Sequence, residues 1–318
     1  MLEPTLKTLV DPETAGDPMS QQKWVRSSLR HLCHRLVERG KSVCPSTVSR
    51  LLRKHDYSLQ VNVKKESGAD HPDRNRQFEY LTCLKQAFLA AGFPVISVDT
   101  KKKELIGHFK NNGREWCQAA KHVNLHDFPQ DAFGRAVPYG IYDIARNRGF
   151  ICVGDSADTP EFAVCAIALW WEQEGKAHYR DARCLLILCD AGGSNGCRPR
   201  AWKQQVQQQL SDRFGLEVTV CHYPTGCSKW NPIEHRLFGP ISINWSGQPL
   251  RSFETVLSCL RGTTTQTGLQ VSAFLLSRVY ATGQSVSKEV MQRLNLHFHE
   301  VCPRWNYTFK PRLVETPE

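Results

Sequence analysis

The stretch Pro94-Val95-Ile96-Ser97-Val98-Asp99-Thr100-Lys101-Lys102-Lys103-Glu104 decides the fold. Its apolar and β-branched run predicts a strand over 94–99, and the lysines after it predict a turn. A second stretch, Cys184-Leu185-Leu186-Ile187-Leu188-Cys189-Asp190-Ala191-Gly192-Gly193-Ser194-Asn195-Gly196, repeats the plan. Residues 185–189 form a continuous apolar run, as expected of a strand buried on both faces of a sheet. A third, Ser228-Lys229-Trp230-Asn231-Pro232-Ile233-Glu234-His235-Arg236-Leu237-Phe238, places an acid in the first turn of a helix opened by Pro232.

Working outward, residues 76–91 read as a helix feeding the first strand. Further strands are expected at 114–118, 139–145, 149–153 and 217–222, with helices at 159–174 and 202–214. The alternation predicts an α/β domain with a mixed central sheet flanked by helices. Ligands of such sheets gather at the carboxyl ends of strands. If the Asp99 and Asp190 strands are neighbours, both carboxylates emerge at one edge, and the Glu234 helix need only cross it. Two strand-end carboxylates and a helical one can hold a pair of Mg²⁺ ions across a scissile phosphate, with Mn²⁺ as a substitute. Each acid alone reads more readily as a turn or capping carboxylate, and Asp143, Asp155 and Asp158 stand in comparable positions.

The chain of 318 residues has room for one large core and a smaller module. Lys and Arg exceed Asp and Glu by 41 to 31, giving a net charge of +10. Between Ser20 and Arg76 alone there are 13 basic and 5 acidic residues, which points to a nucleic-acid partner. Within that region, Leu29, Leu32, Cys33, Leu36 and Val37 mark one face of a helix closed by Gly40. Pro45-Ser46-Thr47 opens a second, with Val48, Leu51 and Leu52 inward and Arg50, Arg53 and Lys54 outward. Two short helices joined in this way make a helix-turn-helix pattern, or else a small helical hairpin with a solvated face. Residues 1–20 read as a loop or the remains of an element. The expected organisation is a helix-turn-helix region over 1–62, a polar linker over 63–76 and a catalytic domain over 77–318.

The 13 cysteines include no Cys-x-x-Cys pair, which argues against a disulfide scaffold or zinc ribbon and for a reducing cytosol. Cys221, His222 and Cys227 form a loose cluster whose spacing fits no common zinc site. There is no signal-peptide pattern, and the apolar run 162–171 is too short to span a bilayer. Lys101, Lys102 and Lys103 could meet phosphates near the acids or form a solvated turn. Lys229, His235 and Arg236 flank Glu234 and could position DNA or make surface ion pairs. Trp230 reads as a packing residue more readily than as a base-stacking one.

Longer stretches carry a family resemblance: Ser97 to Glu104, His126-Asp127-Phe128-Pro129, Pro138-Tyr139-Gly140-Ile141-Tyr142-Asp143, Gly192 to Gly196, Cys221-His222-Tyr223-Pro224, Ser228 to Asn231, Ile233 to Phe238 and Trp305-Asn306-Tyr307. From about Trp24 to Phe309 the chain resembles the DDE transposases of bacterial insertion sequences, specifically the ISAzo-type (Rhodopirellula-type) family. The resemblance implies an RNase H-like catalytic domain, divalent metal, and cut-and-join chemistry on double-stranded DNA at transposon ends. It also implies a homo-oligomer on DNA and a place at the bacterial nucleoid. Asp99, Asp190 and Glu234 match the family's three metal-binding acids. Ala191 and Cys197 depart from the family's more usual Gly and aromatic residue. Relatives carry further helical sequence before the segment that begins here at Met1, so a truncated copy is expected. Two other activities fit the residues: a DNA-binding repressor without catalysis, and a nuclease without strand transfer.

Overall fold

Leu2, Leu6, Leu9 and Val10 recur at helical spacing and form α1 (Leu2–Val10), where a loop or the remains of an element was expected. Pro4 lies in the first turn, where a missing N–H costs nothing, so it does not break the helix. The computed structural model describes residues 2–10, 14–16, 23–25, 27–58 and 71–312, in two compact units, Met1–Ser67 and Gly68–Glu318. In the first, β1 (Thr14–Gly16) pairs antiparallel with β2 (Lys23–Val25). There follow α2 (Leu29–Glu38), capped by the Ser28 hydroxyl, and α3 (Pro45–Lys54). Leu6, Leu9, Leu32, Leu36 and Val48 close a core among the three helices. Val37, expected on the inner face of α2, is 54% exposed.

Most of the expected linker lies outside the described residues; its last three residues begin α4 (Arg74–Ala90). Then come β3 (Val95–Thr100), β4 (Glu104–Ile106), β5 (Gly134–Asp143), β6 (Arg148–Gly154) and α5 (Pro160–Trp170). A short α6 (Lys176–His178), β7 (Cys184–Asp190), α7 (Arg200–Val206) and β8 (Glu217–Tyr223) follow. The unit closes with α8 (Gly239–Asn244), α9 (Phe253–Arg261), β9 (Gln270–Leu276), α10 (Lys288–Gln292), β10 (Leu296–Phe298) and β11 (Asn306–Phe309). Among the described residues three helices contain a π-turn, at Trp171–Gly175, Gln207–Asp212 and Glu234–Phe238. Among the described residues no helix is long and apolar enough to cross a membrane.

The central sheet runs β10-β11-β8-β7-β3-β5-β6-β9, with β4 beside β5. Parallel pairs β3–β7, β7–β8 and β6–β9 adjoin antiparallel pairs β3–β5, β5–β6 and β8–β11, making a mixed α/β sheet. Side chains alternate between two cores, as the strand period of two requires. Tyr139, Ile141, Phe150 and Cys152 face Trp170 and Trp202 of α5 and α7. Tyr142, Ile151 and Val153 face Ile233, Leu237 and Ile241 on the other side. The strand expected at 114–118 is irregular. Trp116 is wholly exposed, and Glu115 is taken by Lys121 (2.5 Å) and Gln248, which leaves no buried alternate face to hold a strand in register.

Candidate active site

The last paired rung of β3 and β7 joins Val98 to Cys189; Asp99 and Asp190 are the next residue on each strand. Both line a cleft of about 750 Å³ at the carboxyl ends of these strands. Asp99 Oδ1 accepts from the Thr100 N–H at 2.8 Å, and Asp190 Oδ1 accepts from the Asn231 amide at 3.1 Å. Burial pushes the Asp99 carboxyl up to about 8, with the charges of Asp190, Glu234 and Asp158 adding to the effect. Burial also raises Asp190; the Asn231 amide opposes the shift and Glu234 reinforces it.

Glu234 is carried to this edge by packing on glycines. Gly140, which pairs with Asp99 across β3–β5, lies under the helix at 232–244. A Cβ there would stand 2.5 Å from the Phe238 ring and 2.9 Å from Ile233 Cδ1. At Gly149 a Cβ would meet Leu237. Asn231, fully buried, ties the start of this helix to the sheet. Its side-chain oxygen accepts from the Ser97 hydroxyl, while its amide reaches Val98 O (3.4 Å) and Asp190 (3.1 Å). The Ser97 hydroxyl in turn accepts from the Ile233 N–H at 3.1 Å. Glu234 begins a π-turn, a wider winding that recurs at functional sites.

Beneath Asp190 lies a buried polar chain. His222 Nδ1 is 2.9 Å from the Asp190 carbonyl and Nε2 is 2.7 Å from the Tyr307 hydroxyl, which accepts from Trp202 Nε1 at 3.1 Å. Burial pushes His222 down to about 4, so it is neutral at physiological pH. Its proton sits on Nδ1, the nitrogen that faces a carbonyl. Cys221 and His222 are consecutive in β8 and so point to opposite faces. Both His222 nitrogens are thus already engaged, and the Cys221–His222–Cys227 cluster does not form.

The oxygen-only donors Asp99, Asp190, Asp158 and Glu234 repel one another where they stand, and a hard cation would relieve that repulsion. Among the described residues no three His, Cys, Asp or Glu side chains close on one point as a ready cage. An open pair of carboxylates suits Mg²⁺, which keeps waters and shares its shell with phosphate oxygens.

The family described as "Rhodopirellula transposase DDE domain" matches residues 5–311. The chain belongs to this DDE transposase family. Among solved structures it is similar to the Mos1 transposase paired-end complex with left transposon end, at 13% identity over 80% of this chain and 68% of that chain, with a TM-score of 0.44. A pre-cleavage Mos1 transpososome is similar over the same shares of the two chains, at 13% identity and a TM-score of 0.43. Among curated proteins none matches.

The other expected site residues of this transposase-family chain fall into two groups. Lys102 is exposed and makes no hydrogen bond or ion pair among the described residues. Arg236 is exposed beside Glu234, and Lys229 lies 5.7 Å from the ring centroid of Trp230, itself 55% exposed rather than packed away. Arg50 and Arg53 are exposed on α3. By contrast, Lys101 is buried: it pairs with Glu104 (3.6 Å), lies 4.4 Å from the Trp245 ring centroid, and burial lowers its pKa. Its neighbour Lys103 is bound to Asp158 at 3.5 Å, and Lys54 to Glu3 of α1 at 2.8 Å.

Two further contributors join them: Asp158, noted in the sequence as an alternative acid, and Arg135, which escaped the sequence reading. Asp158 accepts from the Thr100 hydroxyl at 3.2 Å and lines the cleft. Its only local signal was its position just before the Thr159 cap of α5. Arg135 lines the same cleft, exposed and unpaired among the described residues. Nothing near it in sequence marks it.

Proposed function

We propose that the chain is a metal-dependent transposase that cuts DNA at the ends of an insertion sequence and joins the freed ends to a target. The observation that carries this reading is the register of Asp99 and Asp190 on adjacent parallel strands at the mouth of one cleft, with the Glu234 helix docked over β5. Asp99, Asp190 and Glu234 would hold the ions, with Asp158 within reach of the same charge. Bound there, Mg²⁺ would supply the charge that activates an oxygen nucleophile and stabilises the leaving oxygen. Lys102 and Arg135, unpaired among the described residues, meet the phosphates that enter the cleft. Asn231 holds the Asp190 carboxylate in a fixed orientation.

Two displacements at phosphorus follow from one site. In the first, the oxygen of water bonds to phosphorus as the bond to the 3′-oxygen breaks, leaving a 3′-hydroxyl and a 5′-phosphate. In the second, that 3′-hydroxyl bonds to a target phosphorus while another 3′-oxygen leaves. The strand order supports an RNase H-like reading of the domain: an antiparallel β3-β5-β6 meander extended by parallel β7 and β8. Exposed Arg50 and Arg53 on α3 support a helix-turn-helix reading of 1–62.

The test is cleavage of a preformed element end with Mg²⁺. Wild type should yield cut and joined products, and Asp99→Asn, Asp190→Asn and Glu234→Gln neither, with DNA binding retained. Full cleavage by any of these variants removes that acid from the site. Cut products without joined ones reduce the activity to a nuclease.

A further inference from the structure

A second cavity, of about 570 Å³, lies against the catalytic cleft. The two share Ala191, Gly192, Gly193 and Thr225 as a common wall. That wall is low. A Cβ added at Gly192 would meet nothing within 4 Å, and Gly193 has φ +75°, so at these two residues only backbone separates the two spaces. A chain leaving the cleft can cross it at close approach.

The far side of the cavity carries Arg198 and Arg304, both exposed. Neither makes a hydrogen bond or ion pair among the described residues. The same lining holds Trp305, only 7% exposed, with the exposed His71 ring packed 4.7 Å from it. The acid among the described lining residues is Asp73, 3.8 Å from His71 Nδ1. Two uncommitted cations against one carboxylate leave the space positive. A positive recess with an aromatic wall recognises single-stranded nucleic acid, whose phosphates and base faces are both accessible. The volume lies in the range of small-molecule sites; it holds one nucleotide and no duplex.

We infer that this second cavity receives an unpaired nucleotide of the DNA strand that leaves the catalytic cleft, its phosphate on Arg198 and Arg304 and its base against the His71 ring that Trp305 backs. The inference rests on the reading of the cleft as a DNA-processing site. An unpaired nucleotide enters without breaking a base pair, so a frayed end is favoured over a closed one.

The experiment is equilibrium binding by fluorescence anisotropy, with the full chain in chelator so that no strand is cut. One probe is a blunt duplex; the other is the same duplex with a single-stranded tail of a few nucleotides. Wild type should bind the tailed probe about tenfold more tightly, the worth of one stacked base. In R198A/R304A that preference should fall below about twofold and the salt slope of the tailed complex drop by about 0.7, for one lost single-strand phosphate contact. Binding of the blunt duplex should be unchanged, and R198K/R304K should recover most of the preference. Both arginines are exposed and unpaired, so the variants fold, and matching melting temperatures check this. Equal binding of the two probes by wild type, a preference that survives in R198A/R304A, or an equal loss on both probes overturns the inference. Cleavage by wild type and Asp99→Asn on the tailed probe with Mg²⁺ tests the cleft separately. Loss of cleavage in the variant with no tail preference sinks the cavity alone, and equal cleavage by both sinks the reading of the cleft.

Discussion

Asp99 and Asp190 stand on one rung of two adjacent parallel strands, one step beyond the Val98–Cys189 pair. Side chains on one rung of neighbouring strands leave the sheet on the same side. The register therefore sets the spacing of these two carboxylates independently of any loop. A slip of one residue would turn one of them to the opposite face. The third carboxylate has no such guarantee, because Glu234 depends on how its helix seats over β5.

That seating makes Gly140 a sensitive position. Gly140→Ala places a methyl group 2.5 Å from the Phe238 ring, below any tolerable contact. The helix must lift, at a cost of about 1–3 kcal/mol for an overpacked core. Cleavage is expected to fall by more than about tenfold, since displacements near 1 Å can cost far more than their strain, while DNA affinity stays at the wild-type value. Unchanged cleavage in a variant of normal melting temperature would show that the helix does not set the position of Glu234.

Asn231 joins the two halves of the site through one side chain, contacting Ser97, Val98 and Asp190. Asn231→Ala frees the Asp190 carboxylate and loosens the helix start. A metal-site supporting residue of this kind is worth about 10–100-fold, and the loss should appear as a higher Mg²⁺ requirement as well as a slower rate. Ser97→Ala leaves the Asn231–Asp190 contact in place and should be milder. A rate loss with an unchanged Mg²⁺ dependence would make Asn231 a folding residue only.

On α3, Arg50 and Arg53 are exposed whereas Lys54 is occupied by Glu3. The double variant Arg50→Ala/Arg53→Ala should weaken binding to an element end and, if both touch phosphate, reduce the salt slope by about 1.8. Lys54→Ala should change binding less, because its charge is already shared. Base contacts would instead narrow the gap between specific and random duplexes at constant salt slope. If neither quantity moves, α3 is not a recognition helix.

The parts of the site legible in the sequence are those fixed locally. The run 185–189 is apolar on both faces, as an inner strand must be, the run 95–98 is β-branched but for Ser97, and the acids that end them fall at the sheet edge. The helix of Glu234 announces itself by Pro232. What stayed hidden depends on contacts between distant segments. Lys101 looks like part of an open basic turn, yet Trp245, from far along the chain, covers it. Asp158 joins the cleft only because the residues ahead of α5 pass beside Thr100. The strands β9, β10 and β11 lie toward the ends of the sheet and are short or half-exposed, so their apolar pattern is weak. α1 was masked by Pro4, although its leucines keep the helical period.

The burial of Asp99, with acids crowded around it, should be measurable without any DNA. A carboxyl whose folded pKa is about 8 against an ordinary 3.8 holds its proton more tightly in the fold than in the unfolded chain. The folded state is then favoured while that group is protonated, and the advantage is lost as pH rises from near 3.8 through about 8. Because His222, pushed down to about 4, titrates in the opposite sense, the informative comparison is wild type against Asp99→Asn, which has no proton there to lose. In chelator the two should melt together near the ordinary carboxyl value, and the variant should melt a few degrees higher above pH 8. Added Mg²⁺ should reverse the order at alkaline pH by stabilising wild type alone, since a cation that binds only the folded carboxylates shifts melting by mass action. Differential scanning fluorimetry across pH, with Mg²⁺, Mn²⁺, Ca²⁺ or chelator, reads both effects. Parallel melting curves for the two proteins in chelator would mean that the Asp99 charge is not confined, and equal Mg²⁺ shifts in both would place the ion elsewhere.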